Sequence, residues 1–575
     1  MFTLVKRRRG LPLPWNRLKV GSPVIITPRQ PEGERPQAAV VSARSPRSLQ
    51  VAVDHWLVGT LFDVDLAADE VTRNRERAAL QALRAASGRA RQLRTLVLGE
   101  WDPEPGALSK PRFDRVEPLE TDYGLNDSQR EAIEFALSAR DYALIHGPPG
   151  TGKTTTLVAL ITEAVARGSK VLACAPSNTA VDNLLERLVQ AGQRVVRLGH
   201  PARVKPIVQE HTLDAQADRH ENARWIQQLE REAETLYAKA ERQTRGRPDR
   251  GERQQQRREA RECKQQARHL EWQAVQDVLH QADVVCSTTP IDDAVLGDRR
   301  FDWVVVDEAC QSTEPGCWIP LLRGERFVLA GDYCQLAPTV ISLEAAEQGY
   351  SRSLMERLAR RDASHSLRQL VVQYRMHQQI MDFSSREFYA GTLVAESRVR
   401  DHRLGDLPGV VPSPLTDEPL RFIDTAGADY EEELEPEGSS RRNPGEARLV
   451  LRLLEQLHQA GVRPEDIGVI APYAAQVRWL RQECPFPEVE IDTVDGFQGR
   501  EKEAVIISLV RSNRSGEIGF LGETRRMNVA LTRARRKLIV TGDSSTLGGH
   551  PFYRDLLEYF AALQAYGSVW EEIDP

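Results

Sequence analysis

Residues 146–156 read HGPPGTGKTTT, and their setting decides the fold. A short apolar run, YALIH (142–146), precedes them and an amphipathic run, TTLVALITEAV (155–165), follows, so the stretch is a strand, a glycine-rich loop and a helix in succession. Gly147 to Thr154 match G-x-x-x-x-G-K-[ST]. In such a loop glycines let backbone N–H groups close around phosphate oxygens, Lys153 reaches the β and γ phosphates, and the Thr154 hydroxyl is a Mg²⁺ ligand. The nucleotide-binding candidates are therefore Gly147, Pro148, Pro149, Gly150, Thr151, Gly152, Lys153, Thr154 and Thr155. A glycine-rich turn without a ligand is the alternative, and the strand–loop–helix context argues against it.

Outward from the loop the same texture continues: KVLACAPS, RVVRLG, ADVVCST, FDWVVVDEA and RFVLAGD are short buried-strand runs separated by helical segments, which indicates a parallel α/β sheet. Residues 215–280 interrupt it with a long polar stretch broken by RGRPDRG, the pattern of an inserted antiparallel helical hairpin. A second α/β set follows after Ser364, with RFIDT, DIGVIAPY, EIDTVD, EAVIISLV and KLIVTGD as strands. The acidic segment GADYEEELEPEGSSRRNPGE (427–446) within it reads as a mobile loop. Before all of this, residues 1 to about 70 carry short β-like runs between Pro and Gly, expected to form a small β-barrel or sheet. A charged helical stretch and the Pro-rich linker WDPEPGALSKPRFDRVEP come next.

The chain's 575 residues imply several domains. Hydrophobic residues make up 41% and charged residues 28%, which excludes wholesale disorder. There is no apolar run long enough to span a bilayer and no secretory signal at MFTLVKRRRG, so no membrane partner and a cytoplasmic location are expected. The seven scattered cysteines include no C-x-x-C pair and suit reduced, buried thiols better than a zinc site. Net charge is −6, which does not exclude a locally basic groove for nucleic acid.

A nucleotide hydrolase also needs a metal ligand and a base. VVVDEACQ (304–311) supplies adjacent carboxylates at a strand end, with Asp307 for the cation and Glu308 for the attacking water. LAGDYCQLAP (329–338) adds Gln335 as a γ-phosphate sensor. Two arginines in the second α/β set, Arg375 in VVQYRMHQQI and Arg533 in RRMNVALTRARRK, are candidates to complete the phosphoryl-transfer site; a surface salt bridge is the alternative for either.

LNDSQ, GPPGTGKT, APSNTAVDNL, VVVDEACQ, GDYCQLAP, QYRMH, VDGFQGREKE and NVALTRAR occur in the order and approximate spacing of the superfamily 1B helicases. The chain most resembles the branch that contains the immunoglobulin-mu-binding-protein and nonsense-mediated-decay helicases. That resemblance implies two tandem RecA-like domains, with a 1B-like barrel and stalk at residues 1–115, domain 1A at 116–365 carrying a 1C-like insertion at about 210–280, and domain 2A at 366–575. It also implies that Gln129 contacts adenine, Tyr374 stacks on it and Glu501 reaches the ribose. Asp307 would hold Mg²⁺ with Thr154, Glu308 would be the base and Arg375 and Arg533 arginine fingers.

For the nucleic acid, APSNTAVDNL offers Pro176, Ser177 and Asn178 at a helix N-terminus, suited to sugar–phosphate contact without base reading. Motif match adds Thr288 between Ser287 and Thr289, with Tyr473, Thr493 and Arg511. A helix cap is the alternative for a Ser or Thr, and a core aromatic for Tyr473. The expected function is an ATP- and Mg²⁺-dependent helicase or translocase acting as a monomer on single strands and duplex junctions of DNA and/or RNA. The 5′ to 3′ polarity comes from the resemblance alone. A nucleic-acid-stimulated ATPase that remodels nucleoprotein complexes, and a clamp that uses nucleotide only as a switch, are the competing readings; intact Glu308, Arg375 and Arg533 argue against the last.

Overall fold

Runs of Val, Ile, Leu and Ala that are apolar at every position have no wet face to offer, so they become parallel strands covered on both sides. The computed structural model describes residues 2–6, 13, 18, 22–29, 36–45, 47–53, 61–66, 70–99, 110–115, 117–119, 121–199, 204–241, 250–340, 342–435 and 440–573. They form two compact units. One comprises Met1–Asp122, Glu134–Ala143 and Leu157–Leu329; the other comprises Tyr123–Ile133, Leu144–Thr156 and Ala330–Pro575.

In the first unit, strand Phe301–Val306 pairs in parallel with residues 324–329 on one side and with Val171–Ala175 on the other. Val284–Thr288 and Val195–Arg197 extend the sheet beyond Val171–Ala175, also in parallel. Helix Asn178–Gln190 is tied to this sheet by a buried ion pair, Arg197 Nε to Asp182 Oδ1 at 3.0 Å. The expected insertion is a pair of packed helices, Ala223–Glu241 and Arg250–Gln281. Ala233 and Ala240 on one, and Ala260, Ala267 and Ala274 on the other, are buried at seven-residue intervals. Small side chains at that spacing let two otherwise charged helices lie close along one seam.

The N-terminal strands also belong to this unit. Phe2–Val5, Ser48–Val53, Gln37–Arg44, Pro23–Pro28 and Phe62–Leu66 form an antiparallel sheet in that spatial order, with Val24, Ile26, Val41, Leu49 and Val51 buried on one face. Helices Glu70–Arg84 and Gly88–Leu98 follow. They are fastened by polar contacts: Thr313 Oγ1 donates to Glu76 Oε1 (2.6 Å), Arg75 to the carbonyl of Pro290 and to Asp292, and Arg89 to Asp141. Residues 101–109 of the Pro-rich linker lie outside the described residues.

The second unit centres on six parallel strands in the order Glu490–Thr493, Ile467–Ala471, Lys502–Ser508, Ala534–Gly542, Leu420–Asp424 and Tyr566–Ser568. Their side chains alternate between two apolar clusters. Val505, Ile507, Leu538, Val540 and Phe422 enter one. Ala504, Ile506, Ile539, Ile423 and Val469 enter the other. In the same unit, residues 144–146 of strand Tyr142–His146 pair in parallel with Leu367–Gln369.

The acidic segment expected to be a mobile loop is instead held, over its described residues, by pairing and charge. Glu433–Leu434 pairs antiparallel with Arg441–Arg442, Glu432 binds Arg441 and Arg511, and Glu435 binds Arg478. Residues 436–439 lie outside the described residues. All seven cysteines are free thiols. Among the described residues no helix is long and apolar enough to cross a membrane.

Candidate active site

The loop at 147–152 takes its shape from residues that only glycine satisfies. Gly150 and Gly152 both have φ of +75°, in the left-handed region that other L-residues avoid. A Cβ on Gly150 would sit 2.7 Å from the Cβ of Arg375, and one on Gly152 would sit 2.6 Å from Gln129 Nε2. The loop is closed internally by Thr151 Oγ1, which donates to the Pro148 carbonyl (2.7 Å), and leads into helix Lys153–Ala166. The N-terminus of that helix, with its positive dipole end, makes the loop an anion-binding cradle. Lys153 and Thr154 are half-buried at its mouth, and Thr155 is exposed.

Around this loop the second unit gathers the other nucleotide candidates. Asn126 and Gln129 form a reciprocal cap at the start of helix Asp127–Ser138: the Gln129 N–H donates to Asn126 Oδ1 (2.9 Å) and the Asn126 N–H to Gln129 Oε1 (3.1 Å). That fixes the Gln129 amide so that Nε2 donates to the Thr151 carbonyl at 3.0 Å. Asn126 Nδ2 in turn donates to the Tyr374 hydroxyl (2.8 Å), and the Tyr374 N–H donates to the Gly150 carbonyl (2.9 Å). Gln129 and Tyr374 are thus joined through Asn126, a residue that sequence reasoning left out of the site although the N-x-x-Q cap was readable.

Arg375 and Glu501 hold each other, Nε to Oε2 at 2.5 Å, and Arg375 Nη1 also donates to the Thr532 carbonyl (3.1 Å). Burial works against the Glu501 carboxylate, but Arg375, Arg535 and Arg533 outweigh it and keep its pKa below the ordinary value. Arg533 is only 2% exposed. Its guanidinium donates to the Val529 carbonyl (2.8 Å) and to Gln335 Oε1 (3.2 Å). The structure therefore brings the phosphate loop, Gln129, Tyr374, Arg375, Glu501, Gln335 and Arg533 into one compact unit.

Asp307 and Glu308 lie in the first unit, at the end of strand Phe301–Val306. Asp307 is buried, and its Oδ1 accepts the Glu308 N–H at 2.8 Å. Glu308 has φ of +51°, a strained backbone for a non-glycine residue and a recurrent sign of a functional position. Its carboxylate accepts from Gln311 Nε2 (2.8 Å), so Gln311 orients it. The two oxygen-donor side chains suit a hard divalent cation and a water.

The nucleic-acid candidates divide. In the first unit Ser177 is exposed and caps helix Asn178–Gln190 by accepting the Ala180 N–H (3.2 Å). Asn178 accepts from Arg197, and Pro176, Asn178 and Thr288 are partly exposed. In the second unit Thr493 is partly exposed, whereas Tyr473 and Arg511 are buried. Arg511 donates from Nε to Glu432 (2.7 Å) and from Nη1 to the Tyr473 hydroxyl (3.2 Å).

Two protein-family models, each described as an AAA domain, match residues 124–343 and 350–545. DNA-binding protein SMUBP-2 of Rattus norvegicus is 46% identical over 519 residues, which are 88% of this chain and 51% of that protein. The DNA polymerase alpha-associated DNA helicase A of Schizosaccharomyces pombe is 41% identical, over 74% of this chain and 64% of that protein. An ATP-dependent helicase of Methanocaldococcus jannaschii is 32% identical, over 90% of this chain and 81% of that protein. The chain thus spans about half the length of the SMUBP-2 relative and most of the M. jannaschii one.

Proposed function

This chain belongs to the superfamily 1B helicases, with two tandem RecA-like domains on parallel sheets, and on that premise we propose that it is an ATP-dependent helicase or translocase. It moves 5′ to 3′ along single-stranded DNA and/or RNA and opens duplex junctions, as a cytoplasmic monomer. Its domains are divided at 1–115, 116–365 and 366–575, with the helical insertion at about 210–280. The observation that carries the reading is the seating of Arg375 against Gly150 while the adjacent Tyr374 N–H binds the Gly150 carbonyl. That contact sets an arginine candidate directly against the phosphate loop.

In this reading Tyr374 stacks on adenine, Gln129 contacts it, and Glu501 reaches the ribose. The loop Gly147–Thr155 cradles the phosphates with the backbone N–H groups at its helix end, and Lys153 neutralises the β and γ oxygens. Thr154 and Asp307 would hold Mg²⁺, which would supply positive charge beside the phosphates. Glu308, held by Gln311, takes the proton of the attacking water. Arg375 and Arg533 stabilise the charge that develops as the γ-phosphate departs, and Gln335 senses its presence. Pro176, Ser177, Asn178, Thr288 and Thr493 contact the strand backbone, with Tyr473 and Arg511, which are buried against each other, as the further candidates by motif match.

The test is ATP hydrolysis with and without single-stranded oligonucleotides in wild type and Glu308→Gln. Hydrolysis stimulated by a strand, and abolished in a variant that still binds nucleotide and strand, is expected. Normal turnover by Glu308→Gln would remove it as the base, and absence of hydrolysis with every strand would defeat the reading.

A further inference from the structure

Gln335 owes the direction of its side chain to residues outside the nucleotide site described above. Its Nε2 donates to Asp332 Oδ2 at 2.5 Å, which leaves Oε1 facing Arg533 Nη2 at 3.2 Å. An amide turned the other way would set a carbonyl oxygen against a carboxylate and a guanidinium against an N–H₂ group, so the charge of Asp332 allows one orientation only. Asp332 is itself buried and fixed from three further sides. Oδ1 accepts from His146 Nε2 (3.0 Å) and the Cys334 N–H (3.0 Å), and Oδ2 accepts from the Tyr389 hydroxyl (2.7 Å). Burial pushes the Asp332 carboxyl up, and the bonds from His146, Tyr389 and Gln335 outweigh that, so it stays ionised.

The Tyr389 hydroxyl completes a second connection. It accepts from Asn528 Nδ2 at 2.8 Å, and the same amide donates to the Cys334 carbonyl at 2.9 Å. Asn528 sits on helix Thr524–Leu531, and Arg533, two residues beyond that helix, anchors its Nε on the Val529 carbonyl. The helix that precedes the arginine therefore grips the backbone between Asp332 and Gln335 directly through Asn528, and reaches the Asp332 carboxylate through Tyr389. His146 ends the strand that enters the phosphate loop.

We propose that Tyr389 and Asn528 are positioning residues for phosphoryl transfer: they fix Asp332, Asp332 selects the orientation of the Gln335 amide, and that amide holds Arg533 in place. Neither touches nucleotide; both act through Gln335. The kinetic part of the proposal rests on the ATPase reading above.

Tyr389→Phe removes one hydroxyl and keeps the buried ring. The expected result is a fall of about tenfold in strand-stimulated kcat, the factor carried by roughly one hydrogen bond to a charged group, with KM for ATP nearly unchanged and Tm lowered by only a few degrees. Combined with Gln335→Ala, the tyrosine change should add little, because both act in one chain of contacts. Full multiplication of the two effects, or an unchanged kcat, would overturn the proposal. Hydrogen exchange supplies a readout independent of activity: Tyr389→Phe should raise exchange in peptides spanning 332–335 and 524–533. Unchanged protection there would overturn the proposal even if the wild-type chain hydrolysed nothing, an outcome that would defeat the ATPase reading alone.

Discussion

Gly150→Ala separates the two demands that the phosphate loop makes on that residue. Its φ of +75° costs an L-residue roughly 1–2 kcal/mol. The new methyl group would also stand 2.7 Å from the Arg375 Cβ. Ordinary carbon contacts are about 3.5–4.0 Å, and a Cβ cannot rotate away, so the loop and the backbone at 374–375 must part by about 1 Å. A displacement of that size at a reacting centre costs on the order of 10²-fold in rate, and the strain adds about tenfold to KM if it is relieved in the empty loop. Gly152→Ala is the matched control for strain, with the same φ but with the side-chain amide of Gln129, rather than the Cβ of Arg375, as the obstruction. Steady-state hydrolysis should show Gly150→Ala losing kcat and kcat/KM together, and Gly152→Ala losing mainly KM. Equal losses in the two variants, or a Gly150→Ala enzyme with wild-type kcat, would refute the argument that Arg375 is placed by the loop.

Arg533→Ala should lower kcat by ~10³-fold with nucleotide affinity within a few-fold of wild type, since an arginine finger acts on the transition state; stopped-flow binding with a fluorescent nucleotide separates the two, and an unchanged rate would assign Arg533 to packing. Glu446 is fully buried among Ser508, Thr541 and the Val510 N–H, and burial lifts its pKa to about 7. Because the folded state holds that proton more tightly than the unfolded chain, stability should fall as pH rises from about 4.5 to about 7, by about 3 kcal/mol at most from this group. Denaturant titrations of wild type and Glu446→Gln across that range test it: the variant should lack this slope, and parallel profiles would contradict the assignment.

Much of the scaffold was readable because it rests on local patterns. The apolar runs at 142–146, 171–175, 301–306 and 502–508 are strands buried at nearly every position, and the 215–280 interruption is a helical pair. What escaped sequence reasoning depends on partners far along the chain. The acidic segment at 431–435 has almost no apolar content, and its order comes from Glu432 meeting Arg511, 79 residues away. Arg511 and Tyr473, named by motif match as nucleic-acid candidates, are both buried, and for Tyr473 this is the core-aromatic alternative. Glu308 illustrates a different limit: its residue type suggested a base, whereas its left-handed backbone appears only in three dimensions. Asn126 was not singled out, because its hold on Tyr374 spans 248 residues.

Strand displacement from fluorescent duplexes bearing a 5′ or a 3′ single-stranded tail, in DNA and in RNA, with ATP hydrolysis followed in the same reaction, tests the central claim most directly. Displacement from 5′-tailed duplexes that requires hydrolysis and disappears in Glu308→Gln is expected. Displacement from 3′ tails alone would contradict the polarity, and strand-stimulated hydrolysis with no displacement of any duplex would contradict the helicase reading in favour of a remodelling ATPase.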